Sequence, residues 1–169
     1  MKHIINRDNT CCFSGYRPEK LPWGIDESDK RCETLKENLF TVSNKVINNG
    51  YSHFICGMAR GSDTYFCETI LALRDIYNGI SIEAAIPYEK QAEKWLPEER
   101  ERYSILVGKC DIVTFVSKEY SGYCMLKRNR YMVNNSSLLL AVYDGKLGGT
   151  ANTVKYAVHK GLDVIEIIP

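Results

Sequence analysis

Six short apolar runs recur along the chain, each separated from the next by a longer stretch. They are TCCFS (10–14), SHFIC (52–56), SIEAAI (81–86), DIVTFV (111–116), SLLLAV (137–142) and DVIEII (163–168). Runs of this kind, with little polar alternation, suit strands buried on both faces of a parallel sheet. Parallel neighbours need long crossovers, and the intervening stretches are long enough to supply them as helices. The order predicts an α/β fold: a doubly wound, Rossmann-like domain with a mainly parallel sheet of about six strands and helices on both faces.

The crossovers carry helical spacing. Cys32, Leu35, Leu39, Val42 and Val46 repeat in steps of three and four, after a start near Ser28 or Asp29 and before a stop at Asn49-Gly50. A second helix starts at Ser62-Asp63 and carries Phe66, Ile70, Leu73 and Tyr77 on one face. Pro97-Glu98-Glu99 reads as the first turn of a third, running to about Gly108. A short helix covers 125–134, and the last carries Ala151, Val154, Ala157 and Val158 before stopping at Lys160-Gly161.

The length of 169 residues suits one domain spanning 1–169, and no repeat, low-complexity segment or linker divides it. A net charge of +1 does not favour a broad nucleic-acid footprint. The seven cysteines form no CxxC pair, and His3, His53 and His159 are scattered, so no metal spacing appears. These features fit reduced thiols in a cytoplasmic protein. The N-terminal MKHIINRDNT lacks the apolar core of a signal peptide, and the longest apolar run, LLLAVY, is too short to span a membrane.

In open parallel sheets ligands bind beyond the carboxyl ends of the strands. Here those ends carry Gly15-Tyr16-Arg17 after the first strand, Gly57-Met58-Ala59-Arg60-Gly61-Ser62-Asp63 after the second, and Pro87-Tyr88 after the third. Tyr120, Gly122 and Tyr123 follow the fourth and lead to Arg128-Asn129-Arg130; Asp144 and Gly148-Gly149-Thr150 follow the fifth. Glycine turns feeding helix starts let backbone amides approach an anion, and arginines add forked donors to phosphate. Each feature also has a purely structural reading: a helix cap at Ser62 or Asp63, a tight turn at Gly148-Gly149, a solvated Arg17. Arg128 and Arg130 stand two apart on a helix, so at most one faces the cleft squarely, and Arg130 is the candidate. Tyr16, Tyr88, Tyr120 and Tyr123 are candidates to stack on a base. The dinucleotide fingerprint GxGxxG is absent after the first strand, as is the P-loop GxxxxGK[ST].

The segments FSGYRP, CGMARGSD, KRNRYMVNNSSLLLAVYDG and GGTANTVKYAVHKG resemble the SLOG superfamily, which includes the DNA-processing protein A family and the LOG-type proteins. The chain is most similar to the YpsA-like branch, of largely unassigned function. The resemblance implies a Rossmann-like fold that binds nucleotides or nucleotide-derived ligands. It implies that the turns at Gly57 to Gly61 and Gly148 to Thr150 line a phosphate and ribose site. Asp63 would lie beside that site, and the segment from Arg128 to Arg130, with Asn129, would close it. YpsA-like members are linked to bacterial division and stress. LOG-type phosphoribohydrolases carry PGGxGTxxE; here Thr153 stands where that glutamate would be, and the proline is missing.

Three functions are therefore expected, in order. The first is a binding or sensor protein for a nucleotide or NAD-derived ligand, which needs no cofactor. The second is an N-glycosidic hydrolase using Asp63 or Glu68 as its acid. The third, least favoured by the charge, is single-stranded DNA binding. A protein partner or a homodimer through an apolar helix face fits the first.

Overall fold

The computed structural model describes residues 5–169; His3 lies outside them. Six strands form one sheet in the order β4-β3-β2-β1-β5-β6, and every neighbouring pair is parallel. The strands are β1 (Thr10–Gly15), β2 (His53–Cys56), β3 (Ser81–Ile86), β4 (Ile112–Phe115), β5 (Leu138–Val142) and β6 (Asp163–Ile167). They alternate with α1 (Lys30–Asn48), α2 (Ser62–Ile76), α3 (Pro97–Lys109), α4 (Cys124–Asn134) and α5 (Gly149–His159). The steps from β1 to β4 all run one way across the sheet, and the steps to β5 and β6 run the other way. Right-handed crossovers then place α1, α2 and α3 on one face and α4 and α5 on the opposite face. The packing agrees: α1 lies on α2, α2 on α3, and α4 on α5.

Burial explains which apolar runs became which strands. Every residue of β2 and β5 is buried. Phe66 of α2 stacks on Phe13 of β1 at 4.4 Å and tilts against Phe54 of β2 at 6.3 Å, so three aromatic rings join the helix layer to the sheet. The expectation of strands buried on both faces fails at the margins. β4 alternates half-buried and exposed residues, and β6 buries only Ile167. Both are edge strands, and an edge is covered by fewer neighbours.

The helix signals resolve in the same way. Asp29 caps α1 by accepting from the Arg31 amide at 2.8 Å. Its face buries Cys32, Leu35, Leu39 and Val46, with Val42 half-buried. At the start of α3, Glu99 Oε2 accepts from the Leu96 amide at 3.1 Å, ahead of Pro97. One assignment is corrected: Val158 does not share the buried face of α5. It follows the fully buried Ala157, and one helical step of about 100° turns it to solvent. No helix among the described residues is long and apolar enough to cross a membrane.

Two features of the fold escape a reading by hydrophobicity. One is Glu83, in the middle of the run SIEAAI and almost wholly buried. Thr114 Oγ1 and Tyr131 OH donate to it at 2.7 and 2.6 Å, and His53 Nε2 lies 3.0 Å away. His53 Nδ1 in turn meets Ser81 Oγ at 2.7 Å, so the cluster links β2, β3, β4 and α4. Burial alone would push the Glu83 carboxyl up; the hydrogen bonds from His53, Tyr131 and Thr114 outweigh it and hold it below its usual 4.5. The other feature is Gly61, at φ +80°. A Cβ there would stand 2.9 Å from both the Tyr16 carbonyl oxygen and Pro18 Cδ.

Glu83→Ala strands the buried His53 and the half-buried Thr114 and Tyr131, and should cost about 3 kcal/mol in urea unfolding. Because the folded pKa is depressed, the carboxylate's contribution is full above the unfolded value near 4.5 and is lost as pH falls through the folded one. Stability measured from pH 6 down to 3 should therefore drop less steeply in Glu83→Gln than in the wild type. At the turn, Gly61→Ala combines a positive φ with a backbone clash and should cost about 2 kcal/mol. Gly149→Ala, where a Cβ meets nothing within 4 Å, should leave the midpoint almost unchanged.

Candidate functional site

The strand order reverses between β1 and β5: the connections from their carboxyl ends lead to opposite sides of the sheet. A cleft of about 290 Å³ opens there. Gly15, Tyr16 and Arg17 line it from the turn after β1, Ala59 and Asp63 from the turn before and start of α2, and Arg128 and Asn129 from α4. Gly149 and Thr150, at the start of α5, close the circle. No side chain caps the N-terminus of α5, so its first turn presents amides that suit an anion.

Arg128 is the most committed charge in the cleft. It is buried, with 4% of its surface exposed. Its guanidinium donates to the Gly57 carbonyl, to the Ala85 carbonyl at 3.5 Å and, through Nε, to Asn129 Oδ1 at 2.8 Å. Among the described residues no carboxylate pairs with it within 4 Å. Burial pushes its pKa down, the Asp63 charge pushes it up, and the neighbouring Arg17 pushes it down again. Arg17 is exposed and also lies free of any carboxylate; its Nη2 is 3.8 Å from Met125 Sδ.

Two acids line the cleft: Glu19, exposed and paired with Arg60, and Asp63. Asp63 is buried, and its Oδ2 accepts from the Ala59 amide at 2.9 Å, which closes the turn on itself. Burial raises its pKa; Arg128, the Ala59 amide and Arg17 oppose this, and the net direction is upward. Tyr16 forms a wall. Its hydroxyl donates to Asp144, whose carboxylate Lys146 also holds at 2.7 Å. These two partners, Lys146 first, keep the Asp144 carboxyl well below the usual range. Asp144 thus anchors Tyr16 from behind and does not line the cleft.

Several expected ligand residues serve the fold instead. A side chain at Gly57 would run into the Arg128 guanidinium, so this glycine seats an arginine rather than a ligand. Gly61 packs on the segment 16–18. Arg60 is spent on two carboxylates, Glu19 and Glu99, both at 2.8 Å. Met58, at φ +57°, turns its buried side chain into a second cavity of about 250 Å³ beneath α3, lined also by Arg60, Gly61, Tyr65 and Trp95. Gly148 lies against Lys20, whose ammonium donates to the Leu147 carbonyl at 3.2 Å.

The structure separates the remaining candidates. Arg130 points away from the cleft and lies 5.2 Å over the Tyr156 ring of α5. Glu68 sits outside the cleft in an ion-pair network: both its oxygens accept from Arg102 at 2.8 Å, and Arg102 also engages Glu27. Thr153 turns its hydroxyl back onto the Gly149 carbonyl at 3.0 Å and does not line the cleft. Tyr88 and Tyr120 meet edge to face at 5.3 Å in an adjoining groove. Glu19, Lys20, Met125 and Met132 also line the cleft, though nothing in the sequence pattern pointed to them. Between Arg128 and Arg130 the expected ligand residue was Arg130, and the structure puts Arg128 there instead; the signal for it is a spacing of four from Cys124 and from Met132, both buried, on a single stripe of α4.

Comparison with known proteins places this architecture. The chain is 29% identical over 136 residues to the uncharacterized SPbeta prophage-derived protein YoqJ of Bacillus subtilis (strain 168), covering 73% of this chain and 80% of that one. It is 20% identical over 154 residues to a UPF0398 protein of Lysinibacillus sphaericus (strain C3-41), covering 89% and 85% of the two. Among solved structures it is similar to DNA processing protein A (DprA) from Streptococcus pneumoniae, with a TM-score of 0.50 and 13% identity. That match covers 92% of this chain and 58% of the other, and it concerns the fold alone. The family model of the YspA SLOG family (YpsA) matches residues 11–163, and the chain belongs to that family.

Proposed function

We propose that the cleft binds a nucleotide or NAD-derived ligand through its phosphate and ribose, and that the protein acts as a binding or sensor module. One observation carries this reading. Two guanidiniums, Arg17 and Arg128, face one cleft with no carboxylate paired to either within 4 Å among the described residues; Arg7, Arg100 and Arg130 also lack such a pair but do not line it, and Arg31, Arg60, Arg74 and Arg102 are ion-paired. Neighbouring like charges repel, the more so because Arg128 is buried, and an anion between them relieves the cost. The uncapped start of α5 adds amide donors on the opposite wall. A regulatory part in bacterial division or stress is what the family resemblance adds.

Asp63 favours a second reading. A buried carboxyl with a raised pKa, beside the proposed ribose position, is suited to general acid work on a glycosidic bond. The acid that a LOG-type enzyme would place at 153 is absent, which ranks hydrolysis below binding.

Melting curves with AMP, NAD, ADP-ribose and ribose 5-phosphate test the first reading. A ligand at one hundred times its Kd should stabilise the protein by about 2.7 kcal/mol. Arg17→Ala should keep the unliganded Tm and weaken binding roughly 10- to 100-fold, the loss of a charge-assisted hydrogen bond. If no compound in the panel moves the Tm, the reading is wrong. Recovery of the stabilising ligand intact supports a sensor. Release of free base, abolished in Asp63→Asn with binding retained, would establish the hydrolase instead.

A further inference from the structure

We propose that the groove beside the cleft is the base-binding half of the same site, so that the ligand is a base-bearing nucleotide spanning both. This rests on the reading of the cleft as a phosphate and ribose site. At about 290 Å³ the cleft lies at the bottom of the range for small-molecule sites, roughly 300–1,000 Å³, enough for a phosphoribosyl group and little more. Its aromatic residues offer no free face for a base. Phe13 is fully buried, and Tyr16 is held by Asp144 and packs edge-on to Tyr143 at 6.4 Å.

The adjoining groove supplies what the cleft lacks. It measures about 1050 Å³ and lies beyond the carboxyl ends of β3 and β4. Arg17 and Met125 line both spaces, so the two adjoin with a guanidinium at their common wall, and the ligand would have to pass it. Aromatic surface is concentrated here: Phe115 is 53% and Tyr120 70% exposed, with Tyr88 edge-on to Tyr120 at 5.3 Å. Large aromatic faces left open to water are costly and are suited to stack on a planar ring.

The charges of the groove decide between a single nucleotide and a strand. Lys90, Lys94 and Lys118 are interleaved with Glu89, Glu93 and Glu119, and Lys90 lies 3.8 Å from Glu93. This balance provides no cationic track for a chain of phosphates. An uncharged base suits it, with the ligand's negative charge kept at Arg17 and Arg128.

Calorimetric titration with ribose 5-phosphate, ADP-ribose and a short single-stranded oligodeoxynucleotide separates the outcomes. Ribose 5-phosphate reads the cleft alone. The proposal expects ADP-ribose to bind at least about tenfold tighter, with Tyr120→Ala or Phe115→Ala erasing roughly that tenfold and leaving ribose 5-phosphate unchanged. Both side chains are exposed, so neither substitution threatens the fold. ADP-ribose binding no tighter than ribose 5-phosphate, or equally well in both variants, would overturn the groove and leave the cleft standing. Binding of neither compound would remove both readings. An oligonucleotide that binds tighter than ADP-ribose, with affinity falling steeply in salt, would overturn the proposal in favour of a strand-binding groove.

Discussion

Arg128 reaches from α4 across the carboxyl ends of β2 and β3, where it donates to the carbonyls of Gly57 and Ala85. Strand ends leave such carbonyls without a ladder partner, and a buried carbonyl without a donor is costly. One guanidinium answers two of them. It also fixes the phase of α4, because Cys124 and Met132 must then face the core, and it fixes the residue opposite, because only a glycine at 57 leaves room. The turn from 57 to 63, the placement of Asp63 and the floor of the cleft all follow from that seat.

The fold was largely legible, and the reason is physical. Strands buried on two faces must be apolar throughout, so β1, β2, β3 and β5 stand out against the amphipathic helices between them. The edges were less legible: DIVTFV and DVIEII read as core but meet neighbours on one side only. Glu83 was missed because a single acid in an apolar run is averaged away, although a buried carboxylate demands donors and so implies a polar cluster.

The candidate site was half legible. Its location follows from topology, and Gly15, Tyr16, Arg17, Asp63 and Thr150 are drawn together as expected from the strand ends. The roles of single residues were not, since a glycine required by a ligand and a glycine required by a neighbouring side chain look alike in one dimension. Gly57 is of the second kind. Arg60 and Glu68 are likewise polar residues satisfied by partners that are distant in the chain, Glu19 and Glu99 for one, Arg102 for the other. Only the three-dimensional arrangement shows which charges are spent and which, like Arg17, are left over.

The turn after β2 is a partition with a cavity on each side. Ala59 and Asp63 face the cleft, while Met58, Arg60 and Gly61 face the cavity beneath α3. A partition of seven residues, pinned by Arg128 at one end and by Tyr16 at the other, has no slack to absorb a change on either side. The width of the cleft is therefore gauged from behind as well as from within. Enlarging or shrinking Met58 or Tyr65, neither of which a ligand in the cleft would touch, is a way to resize the opening without altering its chemistry.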